Sequence, residues 1–198
     1  KTLTLANSNG ATFSAAVTTG TEVLLSNTTA GQTIRFAHDL STAALTTTGN
    51  AYHLALVGDN THVSGATTFL NTGSLALGDA ANDNLAFDGG LVAAAPSGLS
   101  LGGTVGTTNT AMTLGDNNTA LVLNDHLTLT TAGGALAIHG AVNGTSANTQ
   151  SLSLNAGAAG LVDVTGAIGQ STSLKTLTLT HSNGATFSAP VKADTSVV

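Results

Sequence analysis

Cysteine is absent from this chain, which removes disulfide scaffolds, thiolate metal sites and cysteine nucleophiles together. Charge is nearly as scarce. Charged residues make up 7% of the 198, against about a quarter in ordinary globular domains. Lys1, Arg35, Lys175 and Lys192 are the only lysines and arginine, and they are scattered. No basic patch exists to meet a nucleic-acid backbone. Aromatic residues are 3% of the chain and tryptophan is missing. Tyr52 and five phenylalanines are too few for the two aromatic girdles of an outer-membrane barrel, although alternating TLTL segments would otherwise suit one. No apolar run approaches the ~20 residues that span a bilayer as a helix. No signal peptide is visible.

What is present is alanine, leucine and valine in alternation with threonine, serine and asparagine, together with 24 glycines. Mean hydropathy is +0.28, and a chain this apolar and this poor in charge is not a disordered one. No window shows the i, i+3, i+4 apolar spacing of an amphipathic helix, and the Thr, Gly and Asn content is unfavourable inside helices. The expectation is an all-β chain.

Two levels of repetition refine it. Residues 1–23 return as residues 175–197, offset by 174 and agreeing at 16 of 23 positions. Between them, short alternating strands recur, beginning at Leu3, Ile34, Leu54, Leu75, Leu99, Leu127, Leu152 and Leu177. From Ile34 onward the starts are 20, 21, 24, 28, 25 and 25 residues apart, in the range that marks solenoids and arrays. Each coil reads as strand, turn, strand, with Gly, Asn, Asp and Ser at the turns. Alternation places Leu3, Leu5, Phe13, Ala15 and Val17 on one face and Thr2, Thr4, Thr12 and Ser14 on the other.

A pair of β-sandwiches would repeat near 90–100 residues around a few large side chains; neither is found. The strict six-residue rhythm of the left-handed solenoid is missing too. The reading is a right-handed parallel β-helix of about 25 residues per coil and about eight coils, continuous over residues 1–198. On this reading the 174-residue offset is one superperiod of about seven coils, and residues 175–197 form the first coil of the next. No amphipathic capping helix is evident at either terminus.

The unit TLTL-x-x-SNGATFSAPV, residues 176–191, resembles the coils of giant bacterial β-strand-repeat surface proteins, the filamentous-haemagglutinin-like adhesins and autotransporter-type passengers. The resemblance covers the chain as composition and rhythm. It implies export, a stiff stalk or fibre at the cell surface, and adhesion or self-association. It transfers no site residue.

Acidic clusters are the place to look for chemistry. Asp79, Asp83 and Asp88 lie in GDAANDNLAFDGG, and Asp116 and Asp125 in GDNNTALVLND; Asp59 and Asn60 form a third GDN. Oxygen-rich loops suit calcium, which takes six to eight oxygen ligands, yet neither EF-hand nor β-roll spacing occurs. The competing reading is Asx turns and stacked asparagines at coil corners. Six histidines (His38, His53, His62, His126, His139 and His181) show no zinc spacing and read as scattered surface residues. A polysaccharide-active enzyme would need a carboxylate pair across a cleft. Asp83 with Asp88, or Asp116 with Asp125, are the available pairs, but Arg35 is the only Arg, Glu22 the only Glu, and sugar-stacking aromatics are nearly absent. An ice-binding Thr array is interrupted, since Arg, Ala and Ser stand between the apolar residues of several strands.

The expected function is therefore structural and non-enzymatic, with no cofactor and calcium as the one candidate ion. The resemblance implies that the segment is part of a large secreted or cell-surface bacterial repeat protein, with self-association or further coils of the same polypeptide as its expected partners. The alternative is an adhesin passenger that binds a glycan or a neighbouring cell through loops such as residues 93–98. No nucleic-acid partner is expected, and no transmembrane segment within these 198 residues.

Overall fold

A computed structural model describes residues 1–195. The end of the second repeat copy, residues 196–197, lies outside the described residues. Every element within them is a β-strand, all pairing is parallel, and no helix is long and apolar enough to cross a membrane. The chain is a β-solenoid of about eight turns, with coils about 23 residues apart.

Each coil has three faces. Face 1 stacks β1 (Thr2–Ala6), β4 (Glu22–Ser26), β7 (Ala44–Thr47), β10 (Thr67–Thr68), β13 (Leu91–Ala93), β15 (Met112–Leu114), β17 (Leu136–Ile138), β20 (Val162–Val164) and β22 (Ala185–Phe187). Face 2 begins with β2 (Ala11–Phe13) and β5 (Thr33–Phe36) and runs in unbroken register through Ala11, Ile34, Leu54, Leu75, Leu99, Leu121, Val142, Ile168 and Val191. Face 3 begins with β3 (Val17–Thr18) and β6 (Leu40–Thr42). It runs through Val17, Leu40, Thr61, Leu85, Val105, Leu129, Leu154 and Leu179. β14 (Gly98–Gly106) and β16 (Ala120–Thr130) bend across the corner and serve faces 2 and 3 in turn.

Face 1 has one seam. Its strands form a three-stranded and a six-stranded sheet, divided between β7 and β10. There the hydroxyl of Thr47 replaces a ladder bond, accepting from the Leu70 N–H at 2.7 Å and donating to the Thr68 carbonyl at 3.4 Å.

The fold follows from period-two alternation on short segments. Every second residue points into a narrow interior, so a strand reads buried, intermediate, buried, as in Leu75–Leu77 and Leu136–Ile138. Leu56, Leu77, Leu101 and Leu123 form one such inward ladder on face 2, each at most 1% exposed. Phenylalanines fill two wider levels: Phe13 stacks on Phe36 with centroids 4.6 Å apart, and Phe69 meets Phe87 edge-on at 5.9 Å. One apolar cluster extends from Val23 to Leu177.

Several expectations change. A coil holds three strands where two were expected. The eight short strands read as one ladder belong to three: Leu3 sits on face 1, Ile34 to Leu99 on face 2, and Leu127, Leu152 and Leu177 on face 3. The irregular spacing of 28 marks the change of face. Leu99 is stacked by Leu121, 22 residues on, and Leu127 lies six residues further along the same coil. Ala15, expected among the inward residues, is exposed.

The long repeat is likewise out of phase with the coil. From Leu3 the chain makes seven whole turns along face 1 to β20, then passes face 2 at Ile168 and reaches Leu177 on face 3. In the first copy TLTL lies on face 1 and ATF on face 2; in the second, TLTL lies on face 3 (β21, Thr176–His181) and ATF on face 1. All three faces accept the same apolar-x-apolar strand, so one sequence can occupy any of them.

Candidate functional site

The acidic residues build corners. After β11 (Leu75–Leu77) the chain turns from face 2 to face 3, and there Asp83, 2% exposed, folds its carboxylate back over the turn. Its Oδ2 accepts from the Asp79 N–H at 2.8 Å and the Ala80 N–H at 3.1 Å, while the Asp83 N–H donates to the Ala80 carbonyl. The carboxylate thus reaches back to the N–H groups three and four residues before it and closes the turn with a charged acceptor. Asp79 itself points outward, 3.8 Å from Arg35. Asp116 does the same service in a later coil, accepting from the Asn118 N–H at 2.9 Å and the Thr119 hydroxyl at 2.7 Å. These bonds hold the Asp116 carboxyl below its ordinary value. Asp125 accepts from the neighbouring His126 N–H at 2.7 Å.

Asp88 joins three coils. Its Oδ2 accepts from His62 Nε2 at 2.8 Å, and its Oδ1 accepts from the Thr108 hydroxyl at 2.9 Å. The His62 bond, then the Thr108 bond, lower the Asp88 pKa. The two carboxylate pairs weighed for glycoside chemistry are each split by a strand. Asp83 and Asp88 bracket β12 (Asn84–Phe87), so they stand about 16 Å apart along an extended chain, beyond the ~5–9.5 Å of a glycosidase pair. Asp116 and Asp125 lie at opposite ends of the face 2 half of β16. Among the described residues no three His, Asp or Glu side chains converge as a metal would require.

The histidines also serve coil stacking. His53 Nδ1 accepts from the Ser74 N–H at 3.0 Å, and His126 Nδ1 accepts from the Ser151 N–H at 3.1 Å. Each satisfies a backbone donor in the next coil. His139 meets the Thr165 hydroxyl at 3.2 Å, again one coil on. His38 and His181 are exposed.

A concave feature lies elsewhere, at the corner between faces 1 and 2 in the first coils. A groove of about 580 Å³ is lined by Asn7, Asn27, Thr29, Asn50 and Thr72, among others. Asn7 and Asn27 have φ of 52° and 58°, the left-handed conformation that asparagine tolerates better than other side-chain-bearing residues. Their carboxamides stack as a ladder: Asn27 Nδ2 donates to Asn7 Oδ1, and Asn50 Nδ2 donates to Asn27 Oδ1 at 3.1 Å. The groove is amide- and hydroxyl-lined and carries no charge. Its sequence signal is the recurrence of Asn at 7, 27 and 50, spaced like the coils. Residues 93–98, the loop expected to bind a glycan, contain the buried Ala93 and Pro96 and do not line the groove.

The class that these features define is a β-solenoid whose polar side chains mostly tie one coil to the next. In comparisons with known proteins the chain matches no family model, no curated protein and no solved structure.

Proposed function

We propose that this chain is a non-enzymatic structural segment, a stiff spacer or fibre element of a larger secreted or cell-surface repeat protein. The observation that supports this reading is the unbroken parallel register of face 2 from Ala11 to Val191. Backbone groups satisfied coil to coil leave few points where the rod can bend or a protease can enter. The acidic and histidine side chains that would serve chemistry are largely engaged in turns and inter-coil bonds. Limited proteolysis and hydrogen exchange test it: coils that stay intact at low protease, with slow amide exchange along the whole face 2 register, support a spacer. A chain cleaved within its coils at low protease, or amides that exchange freely along that register, refutes it.

The asparagine groove favours a second reading, an adhesin segment that binds a neutral glycan. Uncharged amide and hydroxyl groups match the hydrogen-bonding of sugar hydroxyls. A glycan array that lights up for the native chain and goes dark for Asn27→Ala would select it; no signal on any glycan would remove it.

A further inference from the structure

One internal step of the rod is built differently from the others. Below it lies a coil made of β7, β8 (His53–Leu56) and β9 (Asn60–Val63), and above it a coil made of β10, β11 and β12. Faces 2 and 3 cross the step in register, Leu54 on Leu75 and Thr61 on Leu85. Face 1 does not. β7 and β10 share no ladder, and among the described residues this is the one interruption of the three stacks.

The interior is polar at the same place. Thr42, Thr47, Thr61 and Thr67 occupy inward strand positions on β6, β7, β9 and β10, and each is at most 2% exposed. From β13 onward every buried strand position is apolar or glycine. Three buried polar atoms lack a hydrogen-bond partner among the described residues, and all three belong to the two coils that meet here: Tyr52 Oη, Thr61 Oγ1 and Asn71 Oδ1. Thr61 stands between Leu40 and Leu85 in the face 3 ladder, where no partner is within reach. Tyr52 is fully buried at the corner before β8; burial raises its pKa, and Thr48 and Thr47 offset that only in part. The Thr47 hydroxyl already gives its proton to the Thr68 carbonyl at the seam.

A buried polar atom left unpaired bears the whole cost of losing water. On the outside the step is tied by His53 to Ser74, by His62 to Asp88 and by Arg35 to Asp79. The last two pairs are solvent-exposed, and exposed ion pairs contribute little. The interior loss therefore outweighs the exterior ties.

We infer that this step is a yield point built into the rod: under heat, denaturant or pull, the strands before β10 open together while the coils beyond it keep their stacking. The step has coils on both sides, so it is a property of the interior and not of an end. The inference rests on the fold alone. The spacer reading concerns protection without denaturant, whereas the yield point concerns the order of opening once denaturant is added.

Hydrogen exchange followed through sub-denaturing urea tests it. Amides of β5 to β9 should share one opening and exchange about tenfold faster, or more, than those of β13 to β17. The change should fall between Val63 and Leu75. Thr61→Val and Tyr52→Phe delete unpaired hydroxyls and nearly keep the side-chain shape, so each should slow the shared opening by about fivefold. Thr42→Val is the counterpart. Its hydroxyl is bonded to Thr19 and to the Ala44 carbonyl, and its loss should hasten the same opening. Rates that fall gradually from the first coil to the centre, as fraying gives, would overturn the inference. So would one opening shared by all coils, or Thr61→Val and Tyr52→Phe variants that open no more slowly or fail to fold.

Discussion

Leu77 stands at the middle of the rod, and its replacement by alanine measures what coil stacking contributes. The side chain is fully buried on face 2, with Leu56 beneath and Leu101 above. Both neighbours are held by backbone pairing, so little can move to fill the space. Leu→Ala changes at such sites cost about 2–5 kcal/mol, more where collapse is restricted. About 3–4 kcal/mol is expected here. Leu5 offers the control: it is only half-buried and touches a neighbouring coil on one side. Leu5→Ala should cost about 1 kcal/mol, from the smaller area removed from water. In a chain of this size each kcal/mol moves Tm by about 2–4 °C, so the central substitution should lower Tm by roughly 6–16 °C and the terminal one by about 2–4 °C. Urea denaturation at fixed protein concentration reads the difference. The midpoint should fall with little change in m, because the folded surface is the same. Equal losses at Leu77 and Leu5, or a loss below ~1 kcal/mol at Leu77, would refute a core stacked coil by coil.

Three further outcomes are expected. At Gly140 a Cβ would lie 1.9 Å from the Thr119 carbonyl oxygen, and the equivalent corner one coil later, Gly166, has its own Cβ position 2.0 Å from the Gly140 carbonyl oxygen. Gly140→Ala must push a corner of backbone aside, at a cost of about 3 kcal/mol or more; thermal melting checks it, and a Tm within 2 °C of the parent contradicts the close corner. Asp88 and Asp116 have pKa values lowered in the fold. Their ionised forms therefore stabilise the chain above the usual Asp range near 4, and that contribution is lost as pH falls through the lower folded values. Tm should decline below about pH 4 and do so less steeply in Asp88→Asn; a parallel decline in the variant contradicts the three-coil role of Asp88. Calcium at millimolar concentration should leave Tm unchanged, since the acidic oxygens serve turns; a saturable rise would show a site.

The strand content, the parallel stacking and the coil length were legible because period-two alternation and spacing survive in any register. The assignment of strands to faces was not. Leu99, Leu127 and Leu177 begin the same three-residue pattern, and nothing local distinguishes a strand of face 2 from one of face 3. Only the spacing of 28 between Leu99 and Leu127 carried the clue. Asx turns are the expectation at the acidic corners; Asp116 forms one with the N–H two residues on, whereas Asp83 reaches back to the N–H groups three and four residues before it. What composition concealed was the traffic between coils: His53 and His126 satisfying backbone donors, and Asp88 reaching His62 and Thr108. Those partners lie 20–26 residues away in sequence, and only the register brings them together.

The central claim is that three faces stack independently and that the apparent single ladder changes face after Leu99. Cross-strand NOEs in an isotope-labelled sample test it most directly. Contacts between Ser100 and Val122, and separately between Thr104 and Thr128, are the predicted result. A contact between Ser100 and Thr128 in their place would restore the single ladder and contradict the three-faced solenoid.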